Sequence, residues 1–126
     1  MNNWQQNVED FHKKFEQTIG DSPGFSDEDT MKLRIDLIEE EFLELIQAYK
    51  GEDFPSLIDA IADLIYVLLG TATATGVDLE PVWEEVQKTN MAKVPGNKRE
   101  DGKLLKPQGW LPPDISALLK EQGWEE

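Results

Sequence analysis

Residues Arg34–Tyr49, RIDLIEEEFLELIQAY, decide how the rest of the chain is read, because they put carboxylates where a buried helix should put leucines. At ~100° per residue, Glu40, Glu41 and Glu44 fall within about a quarter turn of one another. Leu33, Leu37 and Ala48 continue that arc up and down the helix, so the three acids interrupt an apolar stripe. Glu39 points away, with Lys32 and Asp36, so the run is one solvated residue followed by an EExxE unit. Inward carboxylates repel one another and are costly to desolvate, and they require protons, basic partners or a metal. A glutamate run is equally a good solvated helix face, and this stretch alone leaves the two readings even.

The following helix breaks the tie. It is expected from about Pro55, a residue tolerated in a first turn, to about Thr75, before Gly76. It is apolar on nearly every side, so it must be covered all round. Its only interior charges, Asp59 and Asp63, lie one turn apart on a single face that Tyr66 and Gly70 extend. A second inward carboxylate pair beside the first favours ligands over isolated structural acceptors.

Outward from these two helices, the spacing predicts three more. The first spans about Asn3 to Thr18, with Trp4, Val8, Phe11, Phe15 and Ile19 as its apolar face. His12, the only histidine, is expected at the core edge with a hydrogen-bond partner, a substrate-pocket role being the lesser reading. Gly20–Ser26 reads as a loop, Ser26 and Asp29 offer a capping box, and the helix they open closes at Gly51. The acidic residues there lack the ligand spacing of a calcium loop. Asp78 is an N-cap for a helix over Leu79–Val94, whose inner stripe projects onto Asn90 and Lys93. Pro95–Pro113 is a loop holding Lys98, Arg99, Lys103 and Lys106, which with Lys93 make five of the twelve cationic residues. Its glycines are misplaced for a phosphate-binding P-loop and no strand precedes them. A flexible basic lid over a phosphate and a tail balancing surface acid remain open. A short helix follows Asp114 and ends at Gly123. The expected architecture is all-α, a four-to-five-helix bundle, in one domain over residues 1–126 with 95–113 as a basic loop or lid and 114–123 as a C-terminal helix.

Composition bounds the function. A chain of 126 residues and 14.3 kDa suits one modest core. With no cysteine it has no disulfide framework, thiolate metal site or thiol nucleophile. Net charge −14 opposes nucleic-acid backbones and suits a chain that collects cations. The N-terminal residues lack signal-peptide regions, and the apolar run Leu64–Val77, broken by Gly70 and three threonines, is shorter than the ~20 residues of a membrane span. A cytoplasmic protein without membrane or nucleic-acid partners is the expectation. Oxygen-only ligands select Mg²⁺ or Mn²⁺, and one histidine excludes the Glu-x-x-His pairs of di-iron bundles. Carboxylates around such an ion beside lysines suit phosphoryl chemistry.

These residues resemble the all-α nucleoside triphosphate pyrophosphohydrolases, which include MazG proteins, dimeric dUTPases and phosphoribosyl-ATP pyrophosphohydrolase. EEFLE (Glu40, Glu41, Glu44) matches the family's EExxE, and DAIADLIYVLLGTATATGVDL looks like its second metal-binding helix. TNMAK and DGKLLKPQGWLPPD look like the phosphoribosyl-ATP pyrophosphohydrolase branch, so the likeness runs from Arg34 to Asp114. The resemblance implies a MazG-like bundle completed by homo-oligomerisation, as dimer or tetramer. It implies Mg²⁺ held by Glu40, Glu41, Glu44, Asp59 and Asp63. Asn90, Lys93 and Lys103 would contact the substrate, and Glu41 or Glu44 would activate water for attack on the α-phosphate. One departure concerns the family's ExxD unit: aligning its Asp with Asp63 puts Ala60 where Glu is expected, and Asp59 could substitute. The substrate stays open among nucleoside triphosphates and phosphoribosyl-ATP. A non-catalytic helical dimer binding metal or nucleotide as a regulatory module is the alternative.

Overall fold

A computed structural model describes residues 1–96 and 98–126; Asn97, in the expected basic loop, lies outside the described residues. Five helices follow in order: α1 Asn3–Lys14, α2 Glu28–Lys50, α3 Phe54–Ala74, α4 Leu79–Met91 and α5 Ile115–Glu121. The all-α expectation holds, and the one extended feature among the described residues is an antiparallel bridge between Lys98 and Leu104.

Each helix end has a chemical cause. Asn2 caps α1, its side chain accepting from the Gln5 N–H at 2.9 Å. That helix stops at Lys14, four residues short of the expected Thr18: Glu16 takes a positive φ of 55° and the Gln17 N–H donates to the His12 carbonyl at 2.8 Å. Asp27, not Ser26, caps α2, accepting from both the N–H and the hydroxyl of Thr30 at 2.8 Å. The α2–α3 turn places its left-handed residue at Glu52, φ 54°, one position after the expected Gly51. Asp53 then caps α3 through the Ser56 N–H and hydroxyl. With only residues 51–53 between them, α2 and α3 must fold back antiparallel, and they form the most extensive helix pair.

The hairpin register follows from the contacts. Arg34 of α2 sits against Gly70 of α3, and Glu41, seven residues on, sits against Asp63, seven residues back. Seven residues are two turns, so both pairs lie on the same seam. Ala48 and Ala60, buried on the same seam, let the helices approach closely. Along it Arg34, 5 % exposed, donates to the Val67 carbonyl at 2.8 Å and the Thr71 hydroxyl at 3.3 Å, with no carboxylate paired to it among the described residues. A Cβ on Gly70 would lie 3.0 Å from both the guanidinium carbon and His12 Nε2, so a side chain here would push Arg34 and His12 aside.

α1 rests on α3 along one edge of its apolar face, with Val8 buried and the Phe11 ring edge-on to Tyr66 at 5.6 Å between centres. Gln5, Val8 and His12 are buried, whereas Trp4, Phe11 and Phe15 are exposed. Gln5 is drawn inward by bonding: it donates to the Val77 carbonyl at 2.7 Å and accepts from the Leu79 N–H at 2.9 Å, anchoring the start of α4. His12 Nδ1 lies 2.8 Å from the Thr18 carbonyl, and since a carbonyl only accepts, Nδ1 carries the proton. The core-edge reading of His12 is correct as to its partner, and the ring is buried outright. Gln122 holds Asp78 by both backbone groups at 2.8 and 2.9 Å, so the start of α4 is fixed from two sides. Beyond it α4 leans on α5 instead of on the α2–α3 pair.

Candidate metal centre

Glu41, Glu44 and Asp63 each offer a carboxylate oxygen, and the three oxygens lie within 4.8 Å of one another. The two glutamates come from successive turns of α2 and the aspartate from the facing turn of α3, so the hairpin register alone builds the cluster. Glu41 is half-buried, and its Oε2 is a buried acceptor without a hydrogen-bond donor. Burial raises the Glu41 pKa above the ordinary carboxylate value, helped by the closeness of Glu44 and by the charges of Glu44, Asp63 and Glu40. Asp63 is raised as well, by burial first, then by the charges of Asp59 and Glu44. No cation offsets these shifts. An orphaned carboxylate oxygen amid converging acids fits a bound divalent ion, which would supply the missing partner and relieve the repulsion.

The other expected ligands stand around this triad. Glu40 is exposed and acts on Glu41 through its charge. Asp59 is exposed and acts on Asp63 through its charge. Ala60, at the position where the ExxD pattern wants glutamate, is 4 % exposed, so the seam there is closed and the acid one residue earlier is the one beside Asp63. An open cleft of about 450 Å³ begins at Glu44 and Asp59 and runs past Gln47 and Ser56.

The residues expected to meet substrate lie at or beyond the end of α4, outside the acidic cluster. Asn90 is exposed near the end of α4, where the buried residue is its neighbour Thr89. Lys93 is half-buried, with its ammonium 5.5 Å from the centre of the Trp110 ring. Lys103 is exposed in the turn bridged by Lys98 and Leu104, its N–H donating to Asp101 at 3.1 Å. Two participants escaped the sequence reading. Arg34 had a signal, standing two turns before Glu41 on the same helix face. Trp110 had none, because a loop residue returning to a helix leaves no periodicity.

With this geometry set out, comparison with known proteins places the fold. Residues 8–90 match the profile of the phosphoribosyl-ATP pyrophosphohydrolase family. The chain belongs to that family. The match contains α2, α3 and all of Glu40, Glu41, Glu44, Asp59 and Asp63. A relative, an uncharacterized protein of Acanthamoeba polyphaga mimivirus, is 35 % identical over 71 residues, 54 % of this chain. The aligned part is 28 % of that relative's length, so the chain spans well under half of it. The family takes its name from a pyrophosphohydrolase activity, and the acidic cluster could hold a metal ion.

Proposed function

We propose that the protein hydrolyses a nucleoside triphosphate, or a related nucleotide such as phosphoribosyl-ATP, between its α- and β-phosphates to the monophosphate and diphosphate. The observation that carries this reading is the Glu41–Glu44–Asp63 triad with its unsatisfied Glu41 Oε2, in a chain of the pyrophosphohydrolase family. Glu41, Glu44 and Asp63 would hold Mg²⁺ or Mn²⁺, with Glu40 and Asp59 beside them. When bound, such an ion polarises phosphate oxygens and lowers the pKa of water. Glu41 and Glu44, whose carboxylate oxygens lie within 4.8 Å of one another, would accept the proton of the attacking water. Asn90, Lys93 and Lys103 would meet the phosphates if they reach the triad in an assembled protein.

A second copy of the chain is part of this proposal. The protomer exposes 9220 Å², whereas a compact monomer of 14.3 kDa would expose roughly 6,800 Å². The excess of roughly 2,400 Å² is of the order an obligate homodimer hides. Its apolar content includes Leu33 and Phe42 of α2, Ile58, Ile61 and Leu68 of α3, and Trp83 of α4, all exposed. Helix α3 is by length and composition apolar enough to cross a membrane, but Asp59 and Asp63 within it favour a protein partner.

A panel of nucleoside triphosphates and phosphoribosyl-ATP, incubated with metal-stripped protein and then with Mg²⁺ or Mn²⁺, tests the reaction. Diphosphate is expected from at least one nucleotide only after metal is restored. Orthophosphate as the product, or no product from any nucleotide, refutes the reading.

A further inference from the structure

Helix α1 is held to the bundle by less apolar burial than its sequence suggests. Its buried side chains are Gln5, Val8 and His12, so one aliphatic group and two polar anchors carry the docking. The helix packs chiefly on α3, and less extensively than α2 does. An element with few buried apolar contacts is among the first to open locally. We propose that α1 is an acid-released clasp: a proton on His12 Nε2 lifts this helix from α3 while the α2–α3 hairpin stays folded.

The orientation of the ring makes the switch. Nδ1 already donates its proton to the Thr18 carbonyl at 2.8 Å, so an added proton goes to Nε2. That nitrogen and the Arg34 guanidinium carbon each lie 3.0 Å from the place a Cβ on Gly70 would take, so the two groups are neighbours over Gly70. A neutral Nε2 turns a lone pair toward this region, whereas a protonated ring sets a second buried cation beside Arg34. Little there neutralises the pair. Arg34 has no carboxylate partner among the described residues, its donors going to the Val67 carbonyl and the Thr71 hydroxyl. From α3 comes Gly70, without a titratable group, while Tyr66 meets the Phe11 ring. On α1 itself Glu9 favours the charged ring, but its carboxylate is already 3.8 Å from the Lys13 ammonium. Burial first, with the Arg34 charge adding to it, holds the docked ring below its ordinary pKa of 6.5 against Thr18 and Glu9. The undocked ring takes the proton more readily, so docking weakens as pH falls below about 6.5. Acid also eases the general repulsion of a chain of net charge −14, so a loosening confined to α1 runs against that trend.

Two adjacent amides report the release. Gln5 Oε1 accepts from the Leu79 N–H at 2.9 Å, whereas the Asp78 N–H donates to Gln122 at 2.8 Å. Leu79 should therefore open with α1, and Asp78 should not. Amide exchange of the full chain, followed residue by residue by NMR at about pH 7.5 and about pH 5 and corrected for intrinsic rates, tests this. The amides of α1 and that of Leu79 are expected to lose at least ~10-fold in protection at the lower pH, while α2, α3 and Asp78 keep theirs. His12→Asn keeps an N–H for the Thr18 carbonyl but takes up no proton, so it should lack this step. If α1 of that variant is open at both pH values, the wild-type contrast between Leu79 and Asp78 decides alone. The proposal is overturned if α1 stays protected at the lower pH, if α2 and α3 open with it, if Leu79 and Asp78 respond alike, or if His12→Asn keeps the wild-type step.

Discussion

Replacing Glu41 by Gln should reverse its effect on stability according to whether metal is bound. In the wild-type protein three carboxylate oxygens lie within 4.8 Å of one another. Two unit charges at that distance repel by ~0.9 kcal/mol in water and ~3.5 kcal/mol at an effective dielectric constant of about 20. Glu44 is exposed and Glu41 and Asp63 half-buried, so the lower end applies, and relief of about 1 kcal/mol is expected in EDTA. The new amide also places a donor where Glu41 Oε2 has none, within reach of Glu44. For a chain of this length 1 kcal/mol corresponds to about 4 °C in Tm. With Mg²⁺ at ~100 times its Kd the wild type should gain about 2.7 kcal/mol, and the variant, short of one ligand, much less, so the order of the two melting temperatures inverts. Activity should fall at least ~100-fold in kcat/KM, about 2.7 kcal/mol of transition-state stabilisation. Glu39→Gln makes the same chemical change on the exposed side of α2 and should alter neither quantity. Calorimetric melts of the three proteins in EDTA and in Mg²⁺, with initial rates on the best nucleotide, decide it. The reasoning is refuted if Glu41→Gln melts below wild type in EDTA, if Mg²⁺ raises all three equally, or if Glu39→Gln is as damaging as Glu41→Gln.

Two further outcomes follow from the fold. Burial lowers the His12 pKa below its ordinary value of 6.5, and the Arg34 charge adds to this, against the opposing Thr18 carbonyl and Glu9. The unfolded chain therefore binds the proton more readily, so stability should fall as pH drops below about 6.5 and level off below the folded-state pKa. His12→Gln should flatten that step in chemical-denaturation curves, and an unchanged step would assign it to other groups. In sedimentation the wild type should run at twice the mass of 14.3 kDa or more, and Phe42→Lys or Ile61→Lys should shift it toward the protomer. A wild-type protomer mass at tens of micromolar, or flotation with liposomes in place of self-association, would remove the second copy from the proposal.

The acidic cluster was legible because its geometry is helical arithmetic. Residues at i and i+3 share a face, and a three-residue turn forces the facing helix to present Asp63 at the matching level. Part of the α1 face was misread for a reason of the same kind. Periodicity identifies an apolar stripe but not what covers it, so Trp4 and Phe15, exposed in the protomer, look in sequence like residues turned toward its own core. Gln5 and His12 are buried through partners at Val77, Leu79 and Thr18, contacts made by loops that no spacing rule foresees. The early end of α1 at Lys14 and the left-handed turn at Glu52 were hidden likewise, since neither is marked by glycine or proline.

Arg34 shows why the seam can hold both a buried cation and a knot of carboxylates. If the arginine paired with Glu41, it would supply the charge that the acids lack, and the triad would have no need of a metal. It stands two helical turns earlier, ~10.5 Å along the axis at 1.5 Å per residue, and turns its guanidinium to the Val67 carbonyl and the Thr71 hydroxyl. The groups that raise Glu41 are burial, Glu44, Asp63 and Glu40, with no cation among them. Neutral oxygens satisfy the arginine's donors without cancelling its charge, and Gly70 gives it the space to lie flat on α3. Cation and anions are thus both placed on one interface yet kept apart by register, which leaves the carboxylates electrostatically unpaid. That separation ties the fold to the chemistry: a shift of the α2–α3 register by one turn would change which residues oppose Arg34 and Glu41, undoing the arginine's niche and the triad together.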